Sequence, residues 1–150
     1  MADAAVPAAA SPPPVLRVVA GILERCDGRV LITQRPEGKV YAGYWEFPGG
    51  KIEAGETAFE AIVRELREEL AIEAEVGEEL ISIEHAYSHK RLRFVVHLCR
   101  WYGGEPQPLA SQQVRWVAPQ ALADYPFPAA NARIIAALLQ RLGLEPAGAA

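Results

Sequence analysis

The amino-acid sequence predicts an α+β fold in which helices cover both faces of a mixed β-sheet. Two strand-like runs come first, VLRVVAGILE and VLITQR, and the pair Asp27 and Gly28 between them is typical of a tight hairpin turn. Three further strand-like runs follow, ELISIEHAYS, RLRFVVHLCRWY and QQVRWVA. Two amphipathic helical segments lie among these runs. Because each helix must bury its apolar face, this order favours a mixed sheet packed between helices.

The first helical segment is predicted to begin after Thr57. Thr57 is followed three residues later by Glu60, which is the pattern of a capping box, so Thr57 is the expected N-cap. Apolar residues then recur at helical spacing and share one face of the helix. The side chains predicted on this packed face are Phe59, Ile62, Val63, Leu66 and Leu70.

Turn chemistry and periodicity assign the remaining segments. The stretch PEGKVYAGYWEFPGG predicts a structured loop that ends in a sharp Pro-Gly-Gly turn, and PQALADY predicts a brief helical turn. Residues 130–142 form the last predicted helix, and Gly143 supplies its stop. Its apolar face consists of Ile134, Ile135, Leu138, Leu139 and Leu142.

Composition limits the classes of function. The chain has 150 residues and a formal net charge of -4, so no basic stripe is available to neutralise the phosphates of a nucleic acid polymer. Its 2 cysteines and 3 histidines are too few and too scattered for a disulfide framework or a zinc site, which suits a reducing cytoplasm. No apolar run is long enough to span a membrane.

The predicted domain organisation is simple. Residues 1–14 are almost entirely Ala and Pro without a basic segment, which predicts a disordered tail rather than a secretory signal. Residues 15–143 are predicted to form one domain, and residues 144–150 a flexible C-terminal tail.

The polar side of the first helix carries a cluster of acids. Glu65, Glu68 and Glu69 lie at helical spacing, where like charges repel, and Arg64 and Arg67 are predicted to leave that repulsion uncompensated. One interpretation is a solvated helix surface. The other is a metal site, because carboxylate oxygens without His or Cys nearby select a hard cation such as Mg²⁺ or Mn²⁺.

The cluster belongs to a longer motif. Gly50, then Glu56, then RELREELAI at residues 64–72 resembles the Nudix box. This resemblance implies the Nudix fold, an α/β/α sandwich with a mixed β-sheet, and an enzyme that cleaves a nucleoside diphosphate linked to a further group. EFPGGKIEAGET and FPAAN resemble the MutT-like branch, which hydrolyses nucleoside triphosphates, notably oxidised guanine nucleotides, to monophosphate and pyrophosphate.

The resemblance also implies roles for individual residues. Glu68, Glu69 and the carbonyl of Gly50 would bind the metal, and Glu65 would be either a ligand or the general base. Arg64 would orient a carboxylate, and Lys51 would reach phosphate or pair with Glu56. The alternative is that Arg64 and Lys51 are ordinary surface charges.

Two positions depart from the family pattern. Ala71 stands where the box has glycine, and a left-handed turn there would cost Ala on the order of 1 kcal/mol, so the helix exit could differ. The loop PLASQQVRW lacks the carboxylate that the MutT-like branch adds to its metal site, and Ala110 takes its place. Three outcomes would be consistent with the loss of this metal-binding carboxylate. The site could hold fewer metals, it could use a neutral oxygen from Gln112 or Gln113, or another acid could move in. Glu105 is the nearest acid upstream.

The nucleotide base is expected near the start of the last helix. Asn131 matches the purine-recognising Asn of the branch, but Asn is also a favoured N-cap residue, so helix capping is an equal alternative. The other residues that fall where the branch lines its nucleotide pocket are Arg35, Phe47, Tyr87, Lys90 and Phe127. For the aromatic residues among them, packing in the core is the competing interpretation.

Three functional hypotheses follow. The first is a Mg²⁺-dependent nucleoside triphosphate pyrophosphohydrolase, with Mn²⁺ as a possible substitute, that acts on oxidised purine nucleotides such as 8-oxo-dGTP in nucleotide-pool sanitising and DNA repair. The second changes the substrate to ADP-ribose or a pyrimidine triphosphate, and the third is a catalytically silent nucleotide-binding module. The expected partner is a small-molecule nucleotide, with no nucleic acid polymer and no membrane, and the chain is expected to be a monomer or a homodimer.

Overall fold

The opening hairpin forms as the sequence predicts. A computed structural model of the chain describes residues 15–86 and 91–145, and its first two strands are β1 (Val15–Glu24) and β2 (Val30–Gln34). The strands pair antiparallel, and the turn between them is closed by a hydrogen bond of 2.9 Å from the Arg25 N–H to the Arg29 carbonyl. Gly28 supplies the positive φ of 88° that this turn requires.

Seven strands form one mixed sheet. After β1 and β2 come β3 (Trp45–Glu46), β4 (Gly49–Lys51), β5 (Glu73–Ala86), β6 (Arg91–Gly103) and β7 (Val114–Val117). The spatial order is β3-β2-β1-β6-β5, with β4 paired to β1 and β7 paired to β2. The β1–β6 pair is parallel and the others are antiparallel, so the prediction of a mixed sheet is confirmed.

The predicted Pro-Gly-Gly turn is wrong. Gly49 and Gly50 lie in β4, opposite Ala20 and Val19 of β1. A Cβ on Gly49 would lie 2.0 Å from the Val19 carbonyl oxygen. Glycine is therefore needed here for close approach of two backbones rather than for a left-handed turn.

Among residues 15–86 and 91–145, two α-helices flank the sheet, α1 (Ala58–Leu70) and α2 (Asn131–Leu142), and Pro119–Asp124 form a short 3-10 helix. The capping box is confirmed, because Thr57 and Glu60 exchange hydrogen bonds between side chain and backbone N–H in both directions. Phe59 is an exception to the predicted packed face of α1. Its ring is 50% exposed and meets the edge of His97, since Phe59 lies in the first turn, beyond the sheet core.

The two faces of the sheet bury separate clusters of apolar side chains. Alternate residues of the central strands point to opposite faces, so Leu31 packs towards α1 and Ile32 packs towards α2. This arrangement confirms the sandwich of a sheet between helices. The α1 cluster includes Val19, Leu23, Ile62, Leu66 and Leu70, and the α2 cluster includes Ile22, Val30, Val96, Ile134 and Leu138.

Several predictions concern residues outside the described ranges, namely the N-terminal tail at 1–14, most of the C-terminal tail, Tyr87 and Lys90. Within the described ranges, no helix has both the length and the apolar character needed to cross a membrane.

Candidate active site

The glycine strand β4 meets the acidic side of α1. The Gly49 N–H donates to Glu69 Oε1 at 3.2 Å. A Cβ on Gly50 would lie only 2.1 Å from Glu65 Oε2, so only glycine allows the backbone to lie this close to that carboxylate. The sheet therefore brings the backbone of Gly50 beside Glu65 and Glu69, although these residues are far from it along the chain.

Arg64 organises the other side of the cluster. Its guanidinium donates to Glu56 through Nε at 2.6 Å and through a second nitrogen at 2.9 Å, which is bidentate geometry. It also donates to Glu65 at 2.5 Å, to Glu68 at 3.1 Å and to the carbonyl of Lys51 at 3.0 Å. The prediction that the arginines leave the repulsion uncompensated is therefore wrong, because one guanidinium contacts two of the three helix glutamates.

Glu56 has its partner in Arg64 rather than in Lys51. The side chain of Glu56 is 14% exposed, and its hydrogen bonds from Arg64 and from the Glu53 N–H lower its pKa to about 2. Lys51 is exposed, and among the described residues no ion pair joins it to Glu56. The ammonium of Lys51 is thus not the partner that fixes Glu56.

The buried carboxyls have the opposite electrostatics. Burial and, after it, the neighbouring charge of Glu65 together raise the pKa of Glu69 to about 8, against the opposing hydrogen bond from Gly49. Burial also raises the pKa of Glu65, although Arg64 opposes that shift. The side chain of Glu65 lies close enough to Glu69 to raise the pKa of Glu69, and a bound cation would relieve the repulsion between the two carboxylates.

A further carboxyl, Glu46 on β3, completes the buried group. Burial raises the pKa of Glu46, whose charge also raises that of Glu69. Arg35 donates to Glu46 Oε1 at 2.9 Å and, through Nε, to the Val40 carbonyl at 2.7 Å. Sequence analysis missed Glu46 as a site residue. The sequence pattern that could have identified Glu46 is an acid that lies between two aromatic residues, Trp45 and Phe47, both of which are buried.

The donors gathered here fit a hard divalent cation. They are oxygen atoms of carboxylates and of the glycine backbone, which suit Mg²⁺ or Mn²⁺. Within residues 15–86 and 91–145, no three His, Cys, Asp or Glu side chains already converge in a way that could hold a metal ion. Arg64 draws Glu65 and Glu68 towards itself, and the side chain of Glu68 is 61% exposed. Metal binding would therefore require both carboxylates to exchange part of their contact with Arg64 for the cation.

Phe47, Phe127 and Asn131, three of the residues expected to contact the base, lie within or beside the α2 cluster, on the face of the sheet opposite α1. Phe47 is buried, and its ring lies 5.5 Å from that of half-buried Phe127, which agrees with core packing. Asn131 is 7% exposed and donates from Nδ2 to the Pro128 carbonyl at 3.2 Å. The capping alternative is wrong, because Ala130 is the N-cap and Asn131 is already helical. Substrate contact by these residues stays a prediction.

The exit of α1 keeps its left-handed turn despite the alanine. Ala71 has φ 58° and ψ 37°, and its N–H donates to the Arg67 and Leu66 carbonyls. The expectation of a different exit is therefore wrong. Ala71 accepts an unfavourable backbone conformation because the following strand, β5, begins at Glu73.

Comparison with known proteins agrees with this fold and site. A family model described as NUDIX domain matches residues 19–137. The chain is 39% identical over 137 residues to CTP pyrophosphohydrolase of Escherichia coli (strain K12), a match that covers 89% of this chain and 98% of that protein. It is 40% identical over 125 residues to 8-oxo-dGTP diphosphatase of Haemophilus influenzae, covering 83% and 92%.

A solved structure gives the same result. The solution structure of the E. coli ORF135 protein superposes with a TM-score of 0.77 at 37% identity, covering 91% of this chain and 99% of that chain. Fold and site together define a hydrolase with a carboxylate-lined centre between a glycine strand and a helix. The chain belongs to the Nudix hydrolase family.

Proposed function

We propose that this enzyme is a Mg²⁺-dependent nucleoside triphosphate pyrophosphohydrolase that acts on oxidised purine nucleotides such as 8-oxo-dGTP. The observation that carries the proposal is the position of Glu65 and Glu69 beside the Gly49-Gly50 strand, where two partly buried carboxyl groups meet a glycine backbone. The relative from H. influenzae that is named 8-oxo-dGTP diphosphatase supports the choice of substrate.

The reaction would be hydrolysis of a phosphoanhydride. The oxygen of a water molecule forms a bond to phosphorus, the P–O bond of the anhydride breaks, and pyrophosphate leaves with the electron pair while the nucleoside monophosphate remains. Bound Mg²⁺, held by Glu65, Glu68, Glu69 and the carbonyl of Gly50, would neutralise phosphate oxygens and acidify the water.

The protein groups then have distinct tasks. Glu65 takes the proton of the attacking water, and its partial burial, which raises its pKa against the opposing hydrogen bond from Arg64, makes it a stronger base than an exposed carboxylate. Arg64 holds Glu65 in place, because its guanidinium is itself fixed by the bidentate contact with Glu56. Lys51 is exposed at the end of β4, where its ammonium can meet substrate phosphate.

Base selection is assigned to Asn131. Its amide is buried at the start of α2 and is oriented by a hydrogen bond to the Pro128 carbonyl. The second N–H of the amide and its oxygen would then be a donor and an acceptor of fixed orientation for a purine. Phe127 lies half-buried four residues before it and offers a flat apolar surface, and Arg35 would contact the nucleotide from the end of β2.

A second substrate is favoured by one observation. The relative named CTP pyrophosphohydrolase shares 39% identity over 98% of its length, so a pyrimidine triphosphate is the main rival. A panel of 8-oxo-dGTP, dGTP, CTP and ADP-ribose, each with Mg²⁺ and with chelator, separates these possibilities by release of pyrophosphate or of AMP. Fastest release from 8-oxo-dGTP supports the proposal, and fastest release from CTP replaces it.

The base assignment has its own test. Asn131→Ala is expected to abolish the preference for 8-oxo-dGTP over the other triphosphates while the chain stays folded. Gln140→Ala, at an exposed position of the same helix, is the matched control and should keep the preference. If Asn131→Ala discriminates as the unmodified chain does, the base is recognised elsewhere.

Metal dependence can be measured without substrate. Thermal melting in Mg²⁺ at a hundredfold excess over its dissociation constant should raise the free energy of unfolding by about 2.7 kcal/mol relative to chelator. An identical melting temperature in both buffers would count against a metal site in the free protein.

A further inference from the structure

The loop that lacks a carboxylate at Ala110 is nevertheless fixed against the metal-binding helix. The Leu109 N–H donates to the Glu69 carbonyl at 3.1 Å, and the Gln107 N–H donates to the Leu70 carbonyl at 2.9 Å. A side chain at position 110 is therefore held beside Glu69. The methyl group of Ala110 supplies no metal ligand at this place.

The neighbouring glutamines are not among the residues that line the cavity between Glu69 and Glu46. The Gln112 amide donates to the Arg35 carbonyl at 2.9 Å, and the Gln113 amide donates to Gln34 Oε1 at 2.8 Å. Both side chains fasten the loop to the end of β2. Glu105 is exposed earlier in the loop, and no cavity of the site includes it.

A small cavity lies between Glu69 and Glu46. Thr33, Ala110 and Ser111 form the rest of its polar and loop-side wall, and Leu70 closes it. It has about 10 Å³ of space open to a water molecule. That is about the minimum volume for one buried water, so the cavity can hold a single water molecule or small ion that has polar partners.

Ser111 gives an independent indication that something polar belongs in this cavity. Its Oγ is buried and has no hydrogen-bond partner among the described residues. A buried hydroxyl without a partner is destabilising unless a water or ion completes its bonds. Because Ser111 lines the same cavity as the two carboxyls, a bound water or cation there would satisfy it.

We propose that Glu46 takes over the metal-binding task of the loop carboxylate that is absent at Ala110. This inference rests on the proposed metal-dependent function. Glu46 faces Glu69 across the cavity, so it supplies an oxygen to a cation either directly or through a water that Ser111 also holds. Arg35 fixes Glu46 through Oε1, and this contact keeps the carboxylate in position from the side of β2.

Titration with Mn²⁺, followed by electron paramagnetic resonance of the free ion in the absence of nucleotide, tests this role. Glu46→Gln keeps the shape of the side chain and is expected to weaken Mn²⁺ binding roughly 10- to 100-fold. Adding Ala110→Glu to that variant should restore binding, because the loop holds position 110 beside Glu69. Leu109→Glu in the same background is the control, since Leu109 is 61% exposed and should restore nothing.

Two results would overturn the inference. Unchanged Mn²⁺ affinity in Glu46→Gln removes the role of Glu46 while leaving the proposed function intact. If Arg35→Gln weakens Mn²⁺ binding as much as Glu46→Gln does, and Ala110→Glu does not restore binding, then Glu46 serves only to position Arg35. If the unmodified chain neither binds Mn²⁺ nor hydrolyses nucleotides, the proposed function fails as well.

Discussion

The carboxylates around α1 fall into two regions with opposite properties. On one side, Arg64 binds Glu56 in bidentate fashion and the pKa of Glu56 falls to about 2. On the other side, Glu69 meets Glu65, Glu46 and a single backbone N–H, and its pKa rises to about 8. The pKa of the same type of side chain is thus lowered in one region and raised in the other.

This difference indicates a division of labour. The Glu56–Arg64 pair already has its counter-charge and is suited to hold other groups in place. Glu69 is partly buried, and no described Arg or Lys forms an ion pair with it, which is the condition that a divalent cation relieves. Carboxyl groups whose pKa is raised in a polar cavity indicate where the reactive centre lies. An ion pair beside them with all its hydrogen bonds made indicates residues that hold the reactive groups in position.

The largest expected effect is the loss of turnover when Glu65 or Glu69 is changed. Glu65→Gln or Glu69→Gln should lower turnover roughly 10²- to 10⁴-fold, since each removes a base or a ligand. In chelator, Glu69→Gln should melt at the same temperature as the unmodified chain or higher, because the charge of Glu69 is already disfavoured by burial. Pyrophosphate release and thermal melting measure the two effects.

Glu84→Gln on β5 is the control for these variants, as its side chain is half exposed and its ion pairs within the described part of the chain, with Arg91 and Arg93, are 3.8 Å or longer. Near-normal turnover of both buried variants would place the chemistry outside this pair.

A smaller, pH-dependent effect is expected on the supporting pair. The pKa of Glu56 is depressed from 4.5 to about 2 in the folded chain, so its stabilising contribution is present above pH 4.5 and is lost as the pH falls towards 2. Glu56→Gln should therefore lower the melting temperature at pH 7, and this difference should shrink below pH 4.5. Melting curves of both chains between pH 7 and pH 3 measure it.

The matched control is Glu53→Gln, because Glu53 is 67% exposed and lies 3.7 Å from the Arg64 Nε. It should change the melting temperature less at every pH. A difference between Glu56→Gln and the unmodified chain that stays constant with pH would mean that Glu56 is not stabilised by its charge.

The smallest expected effect is at the exit of α1. Ala71→Gly removes the Cβ from a left-handed residue with φ 58° and should raise the free energy of unfolding by about 1 kcal/mol. Ala136→Gly, at an exposed position inside α2, should lower it by about the same amount. Denaturant unfolding of the two variants should give opposite signs, and equal signs would contradict the account of this turn.

Features that depend on nearby residues were predictable. The capping box of Thr57 and Glu60, the hairpin glycine Gly28 and the stop at Gly143 follow from interactions within a few residues, and the structure has all of them. The two faces of the sheet were predictable as well, since alternation along β1 and β2 decides which cluster each residue joins.

Features that depend on distant partners were not predictable. β3 and β4 contain only 2 and 3 residues, too few for a periodic pattern, and they form because β2 and β1 supply hydrogen bonds. The Glu46 carboxyl approaches Glu69 for the same reason. The ion pair between Arg64 and Glu56 also depends on the turn before α1, which places the two side chains together.

The sequence by itself determined a helix with its N-cap and a row of glutamates on one side, because helical spacing and capping are local. Only the tertiary structure decided which carboxyl around that helix has its pKa lowered and which has it raised. A carboxyl's pKa is set by burial and by the groups that surround it, and here those groups come from β3, β4 and the loop that is fixed to the end of α1.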